Sequence, residues 1–185
     1  MSHTYFDQVF QKVSTISKGE YESCTFKNCN FSGVDFSNIV FIDCKFEVCD
    51  CSLIKVKHTS FREVVFKECK LLGINFAESN TFLFSIAVEN SVLNLSNFYQ
   101  LKLKGMYFKQ CTLHEVDFTE ADLTKVVFDD CDLTRALFIN SNLEKTNFST
   151  AYNYSIDPEQ NRLKKALFSK MDLGGLLNKY DIEIV

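Results

Sequence analysis

The sequence predicts an all-β solenoid, a rod of short repeats stacked on one another. The main observation is a five-residue period: from position 108 to position 148, every fifth residue is Phe or Leu. An α-helix repeats every 3.6 residues and a simple strand every 2, so neither explains this period. The residue two positions before each of these centres is small or apolar, so two residues of every five are expected to face inward. A strict short period over this length is typical of a solenoid.

Residues 1–20 precede the clear repeat and carry a weaker apolar pattern, with Phe6, Val9, Phe10, Val13 and Ile16. This pattern fits either a short helix or an irregular first coil. Because the exposed end of a solenoid needs covering, we expect an N-terminal cap here.

The repeat region spans residues 21–151 and contains one shift of register. The shift adds two residues near positions 77–82, where we expect a bulge or a distorted corner. The 12 centres before it are Tyr21, Phe26, Phe31, Phe36, Phe41, Phe46, Cys51, Val56, Phe61, Phe66, Leu71 and Phe76. The 14 centres after it begin with Leu83, Val88, Leu93, Phe98 and Leu103 and end with Phe148.

The second residue after each centre is expected to form a corner. In several repeats it is Gly or Asn, as in Gly33 and Asn38, which tolerate a positive φ and suit a type II turn. In others it is Glu68, Glu120, Lys125 or Arg135, which argues for another turn type. We therefore expect corners of mixed type.

At residues 121–125 the repeat reads Ala-Asp-Leu-Thr-Lys, and residues 116–120 and 131–135 read almost the same. These repeats resemble those of the pentapeptide-repeat proteins, whose consensus is roughly Ala-(Asp/Asn)-Leu-x-x. The resemblance implies a right-handed quadrilateral β-helix with four repeats, or twenty residues, in each coil. The 12 and 14 centres make 26 repeats and so about six and a half coils, a rod roughly 30 Å long.

A twenty-residue coil predicts that residues twenty apart stack in ladders. The residue types agree with this: one ladder is Leu83, Leu103, Leu123 and Leu143, and another is Phe98, Phe118 and Phe138. The cysteines follow the same spacing, since Cys29, Cys49 and Cys69 would stack, as would Cys24 with Cys44 and Cys111 with Cys131. We therefore interpret the eight cysteines as small inward residues and not as disulfides or metal ligands.

Beyond the repeat, residues 152–185 are expected to form a loop, a short helix and a final strand. Ser169 with Asp172 three residues later resembles a helix start, and Leu173, Leu176, Leu177 and Tyr180 would share one helical face. Ile182 and Ile184 alternate with polar residues, as in a short strand. This segment could only cap the rod, or it could also join two chains into a homodimer.

The sequence shows no chemistry that would make this protein an enzyme. His3, His58 and His114 are far apart, and the register places the last two at exposed corners. No phosphate-binding, dinucleotide-binding or metalloprotease motif is present. We expect no cofactor, no metal and no direct nucleic-acid binding, since the net charge is −4. With no signal peptide or membrane-spanning segment in the sequence, we expect a cytoplasmic protein.

One coil is unusually acidic. Seven acids lie between positions 115 and 132 against one base, Lys125, which gives a local net charge of −6. The acids are Glu115, Asp117, Glu120, Asp122, Asp129, Asp130 and Asp132. Such a coil could enter a groove built for duplex DNA, because that groove attracts phosphate-like charge. The simpler alternative is that these outward positions must be polar and are only solvated.

The whole-chain layout is similar to one group of pentapeptide-repeat proteins, the quinolone-resistance and microcin B17 immunity proteins. The similarity lies in the aromatic centres, in the Leu-Leu-x-x-Tyr and Ile-x-Ile pattern of residues 176–184, and in residues 156–162. It implies a dimeric rod that mimics DNA, binds DNA gyrase or topoisomerase IV, and protects them from a toxin or drug. The alternative is a protein-interaction scaffold for another partner.

Overall fold

A computed structural model describes residues 3–183, in which thirteen short strands build a four-walled β-helix. All strand pairings are parallel, as expected when each coil lies directly on the next. The strands are β1 His3–Phe6, β2 Val9–Gln11, β3 Gly19–Glu22, β4 Thr25–Lys27, β5 Val40–Ile42, β6 Lys45–Glu47, β7 Ser60–Arg62, β8 Val64–Lys67, β9 Ile86–Glu89, β10 Tyr107–Lys109, β11 Val127–Asp129, β12 Asn147–Phe148 and β13 Leu167–Phe168.

The coil length is twenty residues, as the ladders predicted. Phe108 pairs with Phe128, twenty residues later. Likewise, Asp122 pairs with Lys102 in the coil before it and with Asn142 in the coil after it. Leu103, Leu123 and Leu143 follow those paired residues and are fully buried in one column. The predicted quadrilateral β-helix is therefore confirmed.

We name the four walls after their buried columns. The first wall contains Leu103, Leu123 and Leu143, and the second contains Phe108, Phe128 and Phe148. The third contains Leu93, Leu113 and Leu133, and the fourth contains Phe98, Phe118 and Phe138.

The rod is longer than the repeat count predicted. Nine strands stack in the sheet of the second wall, from β2 to β13, so the rod has about eight turns and the expected six and a half were too few. The difference arises at both ends. Residues 3–11 are strands of a first coil and not a helix, and their partners in the next coil lie only 16 residues ahead, as Phe10 pairs with Phe26. At the other end, Phe168 pairs with Phe148.

The register shift is confirmed, and it lies slightly later than expected. Asn80 still pairs with Ser60 twenty residues earlier, but Ile86 pairs with Val64 twenty-two residues earlier, so the two extra residues fall between positions 81 and 85. Leu83 was wrong as a centre, because it is 63% exposed. Phe84 is buried instead, since the bulge turns Leu83 outward and brings the next side chain against Phe61.

The corners are more uniform than their residue types suggested. Glu68, Glu120, Lys125 and Arg135 all have φ between 55° and 62°, the same left-handed region as Asn38. The expectation of another turn type was wrong for Glu120, Lys125 and Arg135, because their corners close with the same backbone hydrogen bond as the corner at Asn38. Corner N–H groups donate to the next coil, as Lys125 does to Glu144 O at 3.1 Å, so the ladder imposes the backbone conformation on the residue. Corners do differ in one respect: Ala121 N–H closes a turn onto Phe118 O, whereas no such bond closes the corner at Glu68.

The core is a continuous column of rings and small groups. Phe118 stacks on Phe98 and Phe138 with ring centroids 5.3 Å apart in both pairs. Cys29 N–H donates to Cys49 Sγ at 3.4 Å, and Cys49 N–H donates to Cys69 Sγ at 3.5 Å. The predicted cysteine ladders are confirmed, and all eight thiols are free and buried. Burial raises the pKa of Cys44 to about 12, so this thiol stays protonated near neutral pH.

The C-terminal segment covers the last coil with two 3₁₀ helices, Leu173–Leu176 and Asn178–Tyr180, in place of the single helix predicted from the spacing. Gly174 and Gly175 explain the difference, because glycine disfavours a continuous α-helix. Gly175 also permits close packing, as expected: a Cβ there would overlap the carbonyl oxygen and ring of Tyr154. Ile182 is exposed and lies outside any strand, and Ile184 lies outside the described residues.

Candidate partner-binding surface

The acidic residues predicted as a binding site do not share one wall. Because they span almost one coil, the chain carries them around the rod. Asp117 lies on the fourth wall, and Glu120 lies at the corner that follows it. Asp122 lies on the first wall and Asp132 on the third. Asp129 lies on the second wall, and Asp130 lies at the corner after it. Glu115 lies at the corner between the third and fourth walls, where Arg135 Nη2 pairs with it at 2.6 Å. The predicted site is therefore a ring.

Several acids of this ring are held by hydrogen bonds to neighbouring coils. Tyr107 Oη donates to Asp129 Oδ2 at 2.8 Å. Gln100 Nε2 donates to Glu120 Oε2 at 2.7 Å. Residues twenty or twenty-two positions apart thus fix the direction of these two carboxylates on the surface.

Asp132 is the most strongly held acid of the ring. Thr134 Oγ1 and Asn153 Nδ2 donate to its Oδ1 at 2.6 and 3.0 Å, and His114 Nε2 lies 2.9 Å from its Oδ2. Partial burial alone would raise the pKa of Asp132, but these hydrogen bonds outweigh it and lower the pKa to about 2. Asp132 therefore stabilises the surface of the third wall and is less available to a partner.

His114 lies on the third wall and not at a corner, which corrects the prediction for this residue. It immediately follows the centre Leu113, whereas His58 is at a corner with φ 59°, as predicted. A hydrogen bond between His114 and an acid eighteen residues away could be anticipated only once the coil length was known.

The fourth wall combines acids with exposed apolar side chains. In three successive coils, this wall and the corner that follows it comprise residues 97–100, 117–120 and 137–140, and none of them is Lys or Arg. Asp117 and Glu120 lie in the middle coil, and no cation pairs with either among the described residues. Tyr99, Leu137 and Ile139 beside them are 39%, 47% and 40% exposed. These three residues were not predicted from the sequence, although an apolar residue at an outward position of the repeat could have indicated them.

The C-terminal segment presents a second group of exposed apolar side chains. Leu173, Tyr180 and Ile182 are 43%, 49% and 55% exposed. Leu176 is different, since it is partly buried against the core. Leu177 sits between the two 3₁₀ helices and is half-buried. The predicted cap or dimer residues therefore divide into an inner part that covers the rod and an outer part that faces solvent.

Residues 156–162, which carried part of the resemblance, anchor this segment. Lys179 Nζ lies 2.8 Å from Asp157 Oδ1 and 2.7 Å from Glu159 Oε2, and Tyr180 Oη donates to Glu159 Oε1 at 3.0 Å. The hydrogen bonds from Lys179 lower the pKa of both carboxyl groups. These acids therefore serve the cap.

Residues 3–183 contain neither a cluster of three metal-ligating side chains nor a helix that is long and apolar enough to cross a membrane. The buried thiols, Asp132 and His114 are accounted for by contacts within the rod. What the structure offers to other molecules is its four walls and its two ends.

A family model described as pentapeptide repeat region matches residues 20–98 and 83–148. No curated protein sequence matches the chain. Among solved structures, HetL of Nostoc sp. strain PCC 7120, a pentapeptide-repeat protein involved in heterocyst differentiation regulation, is similar over 90% of this chain and 86% of its own, with 13% identity and a TM-score of 0.53. Full-length QnrB1, a plasmid-mediated fluoroquinolone resistance protein, is 17% identical over 97% of this chain and 100% of its own, with a TM-score of 0.45.

Proposed function

The chain belongs to the pentapeptide-repeat family, and we propose that it works without catalysis, by binding a protein partner through a wall of the rod. The family model covers nearly all of the repeat region, in which the two inward side chains of each repeat form the core and the backbone groups pair between coils. The remaining outward side chains lie at fixed spacing on flat walls, which suits recognition of another surface.

We propose the fourth wall as the binding surface and a type II topoisomerase, DNA gyrase or topoisomerase IV, as its partner. The observation that carries this proposal is the combination of Asp117 and Glu120, free of cations, with exposed Tyr99, Leu137 and Ile139. The similarity of residues 156–162 and 176–184 to topoisomerase-protecting proteins supports the choice of partner. Bound in this way, the rod would occupy the groove that holds duplex DNA and would protect the enzyme from a toxin or drug.

The charges on the fourth wall set a limit on how the binding works. Duplex DNA carries about one charge per 1.7 Å of its axis, so a coil of about 4.8 Å corresponds to nearly three phosphates. The fourth wall offers two carboxylates in its middle coil and none in the coils on either side. Charge therefore steers the rod into a basic groove, and the apolar side chains must supply much of the affinity.

The test is a supercoiling assay with gyrase and titrated protein, with and without ciprofloxacin or microcin B17. The wild-type chain should inhibit supercoiling or protect the enzyme at micromolar concentration. Asp117→Lys with Glu120→Lys should weaken the effect about tenfold or more, because both charges that face the basic groove are reversed. The matched control is Glu68→Lys with Asp130→Lys, the same change of charge at exposed corners next to the second wall.

Three outcomes distinguish the possibilities. Loss of activity only in the fourth-wall variant supports both the wall and the partner. Equal loss in the two variants would mean that overall charge matters and not this wall. No inhibition and no protection by the wild-type chain would contradict the choice of topoisomerase and favour a scaffold for another protein.

The scaffold alternative has its own observation. Leu53, Leu72 and Leu95 form an exposed apolar stripe along the third wall and its corner, where they are 60%, 36% and 56% exposed. Leu53 N–H donates to Leu72 O at 2.8 Å, which shows that these residues lie in adjacent coils. A partner of the scaffold would be lost on Leu53→Ser with Leu95→Ser, and the fourth-wall variant would leave its binding unchanged.

We also propose that the C-terminal segment joins two chains. The exposed side chains of Leu173, Tyr180 and Ile182 supply the apolar surface for such a contact. A light-scattering mass of the intact chain, compared with a truncation before Ser169, tests it. A monomer mass for both would leave the segment as a cap alone.

A further inference from the structure

The corner between the first and second walls carries an ordered sequence of charges. From the first coil to the last, its residues are Asp7, Ser23, Asp43, Glu63, Leu83, Gly105, Lys125, Lys145 and Lys165. All nine have a positive φ, between 48° and 74°, and successive ones lie 16 to 22 residues, or one coil, apart, so they are equivalent positions of the solenoid. The column is acidic towards one end, apolar in the middle and basic towards the other end.

Hydrogen bonds between coils connect this column on both sides of the bulge. At the bulge, Asn80 pairs with Ser60, and Phe84 N–H closes the corner at Leu83 onto Thr81 O just as Met106 N–H closes the corner at Gly105 onto Leu103 O. Asp43 N–H donates to Arg62 O at 2.9 Å, Lys125 N–H to Glu144 O at 3.1 Å, and Lys145 N–H to Lys164 O at 3.0 Å. On each side of the bulge, each corner residue therefore sits one coil, or about 4.8 Å, from the next.

The first wall beside this corner is divided in the same way. With the corner included, its half before the bulge holds five acids and one base, a net charge of −4; they are Asp7, Glu20, Glu22, Asp43, Glu63 and Arg62. Its half after the bulge holds seven bases and two acids, a net charge of +5; they are Lys102, Lys104, Lys125, Lys145, Arg162, Lys164, Lys165, Asp122 and Glu144. The seven bases are exposed, and none of them forms a salt bridge within residues 3–183.

The bulge places two exposed apolar side chains, those of Phe82 and Leu83, at the boundary between the two halves. Phe82 and Leu83 are both 63% exposed, and the Arg62 guanidinium lies 5.6 Å from the centre of the Phe82 ring. A shallow pocket lined by Ile42, Arg62 and Glu63 lies beside these side chains. Exposed aromatic groups in the middle of a polar surface are typical of the central anchors of protein interfaces.

We propose that the first wall binds a second copy of this chain in antiparallel orientation, about a two-fold axis close to Leu83. A two-fold interface requires a surface that is complementary to itself, and this wall meets that requirement. With the axis at Leu83, Asp43 faces Lys125 and Asp7 faces Lys165, each the same number of coils from the centre. Glu63, one coil before the centre, faces the coil that holds Lys102 and Lys104.

A purely cationic or anionic partner fits this wall less well, because it would be repelled by one half of it.

The size of the wall indicates a weak and reversible contact. Eight steps of about 4.8 Å and a width of about 10 Å give about 400 Å² for each copy. The total of about 800 Å² lies below the size of a standard stable interface, so we expect association at micromolar or higher concentration. Because the exposed charges are screened by salt, raising NaCl from about 50 mM to about 500 mM should weaken it about tenfold or more.

The test uses two variants with opposite changes in the corner column. Asp43→Lys with Glu63→Lys changes the net charge of the half before the bulge from −4 to 0, and Lys125→Glu with Lys145→Glu changes that of the half after the bulge from +5 to +1. Each variant therefore loses most of the charge complementarity between two copies of the wall. The corner conformation already accommodates both residue types, as Lys125 has φ 62° and Glu63 has φ 55°, so both variants should fold and melt like the wild type. Association is measured by sedimentation velocity over a range of concentration and salt.

We expect each variant alone to lose the salt-dependent association through the first wall, while a contact through the C-terminal segment would be unaffected. An equimolar mixture of the two should recover that association, since the half of the first variant with a net charge of +5 then faces the half of the second with a net charge of −4. The matched control makes the same changes on the second wall and its corner, with Glu68→Lys and Glu89→Lys in one variant and Lys67→Glu and Lys109→Glu in the other. Each control variant should associate as the wild type does. Phe82→Ser should weaken association of the wild-type chain about tenfold, because it removes the central anchor.

Three results would overturn the proposal. The first is a wild-type chain that stays monomeric at low salt and high concentration. The second is salt-dependent association that survives both charge variants and is lost on Leu173→Ser with Ile182→Ser, which would assign all of the contact to the C-terminal segment. The third is binding of heparin by the basic half in the absence of self-association, which would assign that half to a polyanionic partner.

Discussion

Phe118→Ala should be among the most destabilising single substitutions in this rod. The Phe118 ring is fully buried, and it lies between Phe98 and Phe138 at 5.3 Å on each side, with nearly parallel planes. Phe128 approaches edge-on at 5.7 Å. Truncation of a buried Phe costs about 3–5 kcal/mol, and the loss of these specific ring contacts places the expected value near the top of that range.

The geometry of the rod argues against relaxation around the cavity. Phe118 N–H donates to Leu137 O at 2.9 Å, and the neighbouring Asp117 N–H donates to Ser96 O at 3.0 Å, so the backbone is held from both coils. A wall held by these hydrogen bonds cannot move inward by the width of a phenyl ring without breaking its backbone hydrogen bonds to the neighbouring coils. We therefore expect a loss of about 4–5 kcal/mol in the free energy of unfolding.

Urea unfolding followed by circular dichroism measures this value. Thr119→Ala is the matched control, because Thr119 is the next residue on the same wall and its side chain faces outward. It should change the stability by less than about 0.5 kcal/mol. A loss below about 1.5 kcal/mol for Phe118→Ala, at unchanged slope with urea, would refute the view that stacked rings are the main source of stability.

Three further substitutions test other parts of the structure. Val48 is a β-branched residue with φ 55°, so Val48→Asn should raise the stability by about 0.5–1 kcal/mol, and an unchanged melting temperature would contradict the strain at this corner. Gly175→Ala should lower it by about 1–3 kcal/mol, because the new Cβ would overlap Tyr154, and hydrogen exchange should show the loss in the last coil first. The pKa of Asp132 is lowered from 3.8 to about 2, so its contribution of about 2 kcal/mol is complete above about pH 4 and is lost as the pH falls towards 2. Asp132→Asn should remove this part of the acid dependence in urea titrations from pH 5 to pH 2, and an unchanged acid dependence would contradict the assignment.

The fold could be predicted because the inward positions are few and strict. One Phe or Leu in every five residues has to fill the same column, so the period itself specifies the coil. The corners could not be predicted in the same way. Glu120 and Asn140 are successive residues in one corner column with φ 57° and 53°, and nothing in the Glu side chain favours that conformation. Hydrogen bonds between coils, which are not local in sequence, decide it.

The candidate site was harder to predict for a related reason. Residues that are close in sequence lie on different walls of the rod. The seven acids between positions 115 and 132 are therefore a cluster in the sequence but form a ring in the structure. The residues that share a wall are twenty or twenty-two positions apart, as Asn97, Asp117 and Leu137 are. A surface of this protein is therefore visible in the sequence only after the sequence has been written in coils, with the two extra residues at positions 81–85 in place.

This separation of roles explains how such a rod can acquire different partners. Backbone hydrogen bonds fix the corner conformation whatever the side chain is, and the inward column fixes the core, so the outward positions are left free to carry charge or apolar groups. The corner that runs from Asp7 to Lys165 shows the extent of that freedom, because acids, Ser, Leu, Gly and Lys occupy equivalent positions with the same sign of φ. It follows that exchanging charges along one corner should alter what the rod binds and leave its stability nearly unchanged. The paired variants at Asp43, Glu63, Lys125 and Lys145 examine both consequences at once, since a variant that unfolds would show that the outer positions are not independent of the fold.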